Sequence, residues 1–283
     1  SENLCIFVLA TPSKMSKLTR RKFIKNGVLA SLAAVLLDAL WFEKYVIDWN
    51  YFDISKSEDK ITIIQISDLH LENLRYFHKS IAKKINSINP DLIFITGDSV
   101  DKTEKIMILD KFLQSIDHSI KKYAITGNWE YWGSVNLTKL RSIYSKNNCE
   151  LLINENRTIS VKSREISIIG IDDFLGGNAD FRKAVENLKE TKTNIVLSHC
   201  PVYRDIIKTQ RGDLNIDLVL SGHTHGGQIT FLGIVPFKPQ GSGKYLKGWY
   251  KESEPKMYIS KGIGTSILPI RFGARAEMVA MQI

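Results

Sequence analysis

Five apolar runs of strand length recur along the chain, and each ends in a short polar turn. The β-branched run 61–66 ends in Ser67-Asp68-Leu69-His70, and 91–96 ends in Gly97-Asp98-Ser99-Val100-Asp101. Run 122–125 leads into Gly127-Asn128-Trp129-Glu130, and run 194–197 into Ser198-His199-Cys200-Pro201. Run 217–220 leads into Ser221-Gly222-His223-Thr224-His225-Gly226-Gly227-Gln228. Short runs rich in Ile, Val and Leu and bounded by turn residues predict buried strands. Between them, apolar positions recur at helical spacing over 77–88, 104–116, 137–145, 180–189 and 202–209. The stretch 151–170 reads instead as short antiparallel strands with Asn154-Glu155-Asn156 as a hairpin turn, and further strands are predicted over 256–260 and 277–283. Strands alternating with helices predict an α/β fold whose functional side chains collect at the carboxyl ends of the strands.

The pattern before residue 60 is different. Met15-Ser16-Lys17 has the form of a start, which makes 1–14 an upstream extension. Thr19-Arg20-Arg21-Lys22-Phe23-Ile24-Lys25 matches the twin-arginine export pattern, and the apolar segment 28–42 follows it. Lys14, Lys17, Arg20, Arg21 and Lys22 with no acid among them suit a cytoplasmic flank. The segment is about 15 residues long, short of the roughly 20 that span a bilayer, and Asp38 interrupts it. No small-residue cleavage site follows, and Trp41 and Tyr45 suit a membrane interface. The expected organisation is a signal and membrane tether over 1–46, a connector over 47–59 and a catalytic domain over 60–283. An uncleaved tether places that domain on the extracytoplasmic face; the alternative is the cytoplasmic face of the same membrane.

Composition narrows the chemistry. A chain of 283 residues that is 43% hydrophobic can bury a sizeable core. The three cysteines, Cys5, Cys149 and Cys200, are too few and too scattered for a disulfide framework or a thiolate zinc site. Cys200 reads as a small buried hydrophobe. A net charge of +9 favours anionic partners, but the lysines are spread along the chain without interleaved aromatics, so no nucleic acid is expected. His78 and His118 fall on predicted helices and read as surface residues.

The strand-end residues Asp68, His70, Asp98, Asn128, His199, His223 and His225 offer carboxylate, amide and imidazole with no thiolate. That set suits hard to borderline divalent ions such as manganese, iron or zinc. Seven ligands exceed the needs of one ion, and if Asp98 bridges they divide into two sites, an arrangement suited to displacement at phosphorus.

Asp68-Leu69-His70, Gly97-Asp98-Ser99-Val100-Asp101, Gly127-Asn128, His199 and Gly222-His223-Thr224-His225 resemble, in order and spacing, the motifs of the calcineurin-like metallophosphoesterase superfamily. The tail, Lys261 to Ser266 and Pro269 to Gly273, is similar to its twin-arginine-exported, membrane-associated bacterial branch. The resemblance implies a four-layer αββα sandwich with two facing mixed β-sheets. It also implies one ion held by Asp68, His70, Asp98 and His225 and a second held by Asp98, Asn128, His199 and His223, with manganese favoured over iron or zinc. A hydroxide bridging the two ions would attack phosphorus in line, and Asp98, Asn128, Trp129 and Asp101 take the catalytic positions. Arg271 and Lys244 are candidates for binding substrate phosphate, with Lys247, Lys261 and Arg275 nearby in sequence. A monomer acting on a phosphorylated small molecule or a lipid-linked substrate is expected.

One position departs from the family. Most members carry a histidine after the Asn, where this chain has Trp129. Indole donates a hydrogen bond but has no proton to transfer at neutral pH, so Trp129 cannot be a general acid, and Asp101 loses its expected partner. The related pyrophosphatases that hydrolyse UDP-2,3-diacylglucosamine in lipid A synthesis carry Arg there, which keeps that activity as an alternative. A metal-binding scaffold that has lost turnover is the non-enzymatic alternative.

Overall fold

The computed structural model describes residues 19–55, 57–252 and 254–283. Met15, Lys14, Lys17 and Cys5 lie outside the described residues. Two units are distinguished, and the first is described by helix α1 (Arg20–Leu37), none of whose side chains is buried.

The second unit begins at Asp38 with a π-helical turn, Asp38–Phe42, and α2 (Glu43–Tyr45). Helix Arg20–Tyr45, 26 residues in all, is long and apolar enough to cross a membrane. The apolar run alone suggested too short a span, because the flanking polar residues are helical as well.

The strands are β1 (Asp48–Asp53), β2 (Thr62–Ile66), β3 (Leu92–Thr96), β4 (Lys121–Ile125), β5 (Cys149–Leu151), β6 (Glu155–Val161), β7 (Arg164–Gly170), β8 (Asn194–Leu197), β9 (Leu218–Ser221), β10 (Gly248–Tyr250), β11 (Met257–Ile259) and β12 (Glu277–Gln282). They form two six-stranded sheets, β1-β12-β2-β3-β4-β5 and β10-β11-β9-β8-β7-β6. Both are mixed: β2 to β5 run parallel while β12 pairs antiparallel with β2, and β7, β8, β9 and β11 run parallel between antiparallel edges.

Strand alternation assigns the layers. Ile63, Phe94 and Ile125 of one sheet pack against Ile168, Leu197 and Leu220 of the other, so the sheets face each other across a shared core. Ile64, Ile93 and Ile95 point the opposite way, onto α3 (Tyr76–Ile88), α4 (Ile106–Leu113) and, further along the chain, α6 (Leu137–Lys146). Ile169, Val196 and Val219 meet α7 (Phe181–Ala184) and α8 (Tyr203–Gln210) on the far side. Near-continuous apolar runs are what parallel strands buried on both faces require, and the result is the expected four-layer αββα sandwich.

Several expectations change. The connector at 47–59 contains β1, which extends the first sheet by pairing in parallel with β12 from Asp48↔Glu277 to Asp53↔Gln282. The hairpin turn falls between Val161 and Arg164, not at Asn154-Glu155-Asn156. Asn154 instead crosses between the sheets with a left-handed backbone, its Oδ1 accepting from the amides of Asp172 and Asp180. The helix expected over 104–116 is a 3-10 turn, Thr103–Lys105, followed by α4, and that over 180–189 shrinks to α7. His78 is buried on α3, accepting the Arg75 amide at Nδ1, while His118 sits in an exposed turn. Cys149 and Cys200 are free and buried, as a small-hydrophobe reading of Cys200 requires.

Candidate metal centre

All seven predicted ligands converge. Asp68 and His70 leave β2, Asp98 leaves β3, Asn128 opens α5 (Asn128–Trp132) after β4, His199 leaves β8, and His223 and His225 leave β9. All seven are buried. Five of them, Asp68, His70, Asp98, His223 and His225, hold φ between 42° and 72°. Left-handed backbone at a residue with a Cβ costs about 1–3 kcal/mol and persists where the surroundings dictate it. The glycines explain the crowding: a Cβ on Gly127 would collide with the Asp98 carboxylate, and one on Gly222 with the Ser67 hydroxyl and Asp68.

Two groups result. Asp68, His70 and His225 offer ligand atoms within 4.8 Å of one another, as do Asp98, His199 and His223. Asp98 Oδ2 joins them, lying 3.6 Å from His70 Nε2 and 3.2 Å from His199 Nε2. Asn128 Oδ1 lies 2.8 Å from His223 Nδ1.

An outer layer fixes which nitrogen faces inward. Thr96 O at 2.7 Å accepts the Nδ1 proton of His199, and Gln240 O at 2.6 Å accepts the Nε2 proton of His223, since a carbonyl can only accept. Asp101 Oδ1 does the same for His70 Nδ1 at 2.6 Å. The lone pairs of His70 Nε2, His199 Nε2 and His223 Nδ1 are thereby turned towards the carboxylates. Buried His199 Nε2 makes no hydrogen bond, and His70 Nε2 and His225 Nε2 approach to 3.2 Å. Orphaned or opposed acceptors of this kind fit divalent ions held between them, and the outer acceptors are the partners that metal-ligating histidines use.

Electrostatics agree. Burial presses His70 down, yet the Asp101 hydrogen bond and the charges of Asp98, Asp101 and Asp68 carry it up to about 9. Burial likewise opposes His199, which Asp98 nevertheless holds well above the usual imidazole range. Burial opposes ionisation of Asp98 too, but His199, His70 and the Trp129 amide keep it well below the carboxylate range. Burial, His70 and Arg271 push His225 well down. The carboxylates thus draw positive charge to the inward ring nitrogens, where a cation would compete with a proton.

Two readings of individual residues are corrected, those of Asp101 and Arg271. Asp101 has a partner after all, His70. Arg271 does not present a phosphate-binding guanidinium to solvent: it is fully buried and donates to the carbonyls of Lys261, Gly262, Gly264 and Ala274, with Nη2 3.3 Å from His225 Nδ1. It braces the loop behind His225. Lys244 is exposed with Nζ 5.3 Å from the Tyr245 ring centroid, and Lys247 is exposed as well. Trp129 donates its amide to Asp98 Oδ1 and its indole N–H to Ser266 Oγ at 3.1 Å, with its ring edge-on to His70.

Glu130 escaped the sequence reading. Its buried carboxylate accepts the amides of Gly127, Asp98, Ser99 and Val100 at 2.7–3.4 Å, tying the turn after β3 to the turn after β4. Burial and the Asp98 charge push it upward, against the pull of those amides. A glutamate three residues after the helix-capping Gly127 was the available signal.

Residues 61–227 match the model of the calcineurin-like phosphoesterase family. Among similar proteins, the metallophosphoesterase YkuE of Bacillus subtilis is 31% identical over 93% of this chain and 97% of its own length. YkoQ of the same organism, also described as a metallophosphoesterase, is 31% identical over 79% of this chain and 84% of its own. A Bos taurus transmembrane protein with a metallophosphoesterase domain is 29% identical over 80% of this chain and 53% of its own length. With that match extending over the strand-end turns that carry the buried aspartates and histidines, the chain belongs to the calcineurin-like phosphoesterase family and is a metal-dependent phosphoesterase.

Proposed function

We propose that the chain hydrolyses a phosphodiester or pyrophosphate bond in a membrane- or nucleotide-linked substrate, using two divalent ions. Asp68, His70, Asp98 and His225 hold one, and Asp98, Asn128, His199 and His223 the other. The carrying observation is the inward set of lone pairs on His70, His199 and His223, each fixed by an acceptor behind the ring. An oxygen-and-imidazole set without thiolate suits manganese, iron or zinc, and the family resemblance is what favours manganese among them. When bound, such a pair supplies Lewis acidity at the phosphoryl oxygens and a nucleophile at neutral pH.

The chain's own residues set the rest. Asp98 serves both groups, so its position fixes their separation. Trp129 fills the place where most of the family has histidine, and its one donor is committed to Ser266. It walls the site beside His70 and transfers no proton, which favours substrates whose leaving group is already stable as an anion, such as a nucleotide phosphate.

Helix Arg20–Tyr45, headed by the twin-arginine pattern, supports membrane attachment, with export by the twin-arginine route placing the body outside. The transmembrane relative supports the same attachment. A second reading, UDP-2,3-diacylglucosamine pyrophosphatase, is favoured by the non-histidine at 129 and requires the body to face the cytoplasm.

The test is hydrolysis of bis-p-nitrophenyl phosphate and of a nucleotide-linked pyrophosphate by the full chain, stripped of metal and reloaded with manganese, zinc or iron. Turnover with manganese, abolished in Asp98→Asn, supports the proposal; a loaded protein inert towards both substrates would leave a scaffold. Protease accessibility in spheroplasts decides the face.

A further inference from the structure

We propose that the rim of the metal centre is itself a membrane-docking surface, which together with the end of the N-terminal helix seats the centre against an anionic bilayer. This deepens, and rests on, the reading of the metal centre as a phosphohydrolase site acting at a membrane. The rim consists of Phe231, Leu232, Ile234 and Phe237 from one loop and Ile267 and Leu268 from another. All six are exposed, Leu232 at 87% and Ile267 at 83%. Single exposed hydrophobes are ordinary, but a contiguous group marks a contact surface.

Contiguity is visible in the bonding. Gln228 Nε2 donates to the carbonyls of Ser266 and Leu268, and the Thr230 amide donates to Phe272 O. The Phe231 and Phe272 rings stack with centroids 6.4 Å apart. The two loops therefore lie side by side. They also adjoin the site: Ile267 follows Ser266, which receives the indole proton of Trp129, and the first loop is the direct continuation of His225.

Two further observations identify the occupant. The Lys44 ammonium reaches Pro269 O at 3.0 Å, the Arg271 amide reaches Ala39 O at 3.0 Å, and the Glu43 carboxylate accepts the amides of Gly273 and Ala274. The last turns of the long apolar helix are thus bonded to the second rim loop, and Trp41 and Phe42 there are exposed too. Charge agrees: residues 226–251 and 255–276 contain no Asp or Glu, while Lys238, Lys244 and Lys247 punctuate the first stretch. Aromatic and aliphatic side chains flanked by lysine, with the Glu43 carboxylate bonded to the Gly273 and Ala274 amides as the acid at their edge, suit an interface of acyl chains and anionic headgroups. A rim so placed would take substrate from the headgroup layer without full extraction into water.

The experiment uses the full chain in nanodiscs of phosphatidylglycerol and phosphatidylcholine. Cys5 is replaced by Ser, Cys149 and Cys200 being buried, and an environment-sensitive fluorophore is placed at Leu232→Cys, Phe237→Cys or, as control, Asp213→Cys. Asp213 precedes β9, at the end of the sheet away from the metal centre. Labels at 232 and 237 should be quenched by doxyl-labelled lipid and shielded from iodide, with the reverse at 213. Iodide access at 232 equal to that at 213 would overturn the proposal, as would shielding from both quenchers that vanishes on dilution, which would assign the patch to a second copy. The double variant Leu232→Ser, Phe237→Ser should keep its activity on bis-p-nitrophenyl phosphate. On a vesicle-borne phosphodiester it should lose about tenfold or more, since each buried side chain is worth on the order of tenfold in partitioning. Equal activity of that variant and the parent on vesicles would count against docking. Quenching as expected with no hydrolysis of either substrate would sink the phosphohydrolase reading and leave the docking surface standing.

Discussion

Asp101 Oδ1 lies 2.6 Å from His70 Nδ1, so the carboxylate expected to steady a histidine absent from this chain steadies one of the inward-facing imidazoles instead. Replacing the partner at 129 has not idled Asp101. It holds His70 with Nε2 turned inward, where Asp98 and His225 wait.

Asp101→Ala should therefore weaken metal retention without unfolding the protein. Loss of such an outer partner costs about 10–100-fold in affinity or activity. Metal content after graded chelation, read beside kcat on bis-p-nitrophenyl phosphate, checks it; unchanged retention would remove Asp101 from the centre.

Chelation of the whole protein should lower its melting temperature, with stability falling roughly as the logarithm of the free metal that remains. Ligand at 100 times its Kd stabilises by about 2.7 kcal/mol, and Asp98→Asn, which disturbs both groups, should abolish most of the metal-dependent shift. Calorimetry with and without manganese reads this directly.

Glu130→Gln puts an amide donor among four amide donors. At least one must lose its acceptor, at about 1–3 kcal/mol, and the turns carrying Asp98 and Asn128 loosen together. Urea unfolding should show the stability loss, and hydrogen exchange should rise at Gly127, Asp98, Ser99 and Val100. Exchange unchanged at those amides would refute the clamp.

His78 carries a pH dependence separable from the metal centre. Burial, aided by Arg75, pulls it down to about 4 from 6.5. Since the unfolded chain binds the proton more readily, stability is complete above pH 6.5 and falls as pH drops towards 4, by up to about 3 kcal/mol. His78→Gln should flatten that part of the profile, measured as the difference between variant and parent in urea unfolding from pH 7 to 4. Parallel profiles would show that His78 is not the group responsible.

The seven clustered residues were legible because each follows a short strand rich in apolar residues, where an aspartate, asparagine or histidine has no packing reason to be. The sandwich was legible for a related reason, since runs buried on both faces leave little choice of architecture. β1 was not: Asp48-Trp49-Asn50-Tyr51-Phe52-Asp53 is an edge strand paired on one side, mixing polar and aromatic residues with Tyr51 and Asp53 exposed, and it resembles a linker. The hairpin was misplaced because its turn uses Lys162 in left-handed backbone, whereas Asn154, a better turn former, spends the same conformation on crossing between sheets. Arg271 was beyond sequence reasoning, because the carbonyls that neutralise its burial come from loops whose convergence only the fold reveals.

The left-handed backbone at Asp68, His70, Asp98, His223 and His225 also restricts how the centre can be re-engineered. Asparagine, aspartate and histidine visit that region more readily than other residues bearing a Cβ, so exchanges within this trio can retune ion preference with the main chain left where it is. Glutamate, cysteine or threonine at the same points would have to reshape the loop before meeting any ion. The chain trace thereby limits the vocabulary of ligands open to future variants.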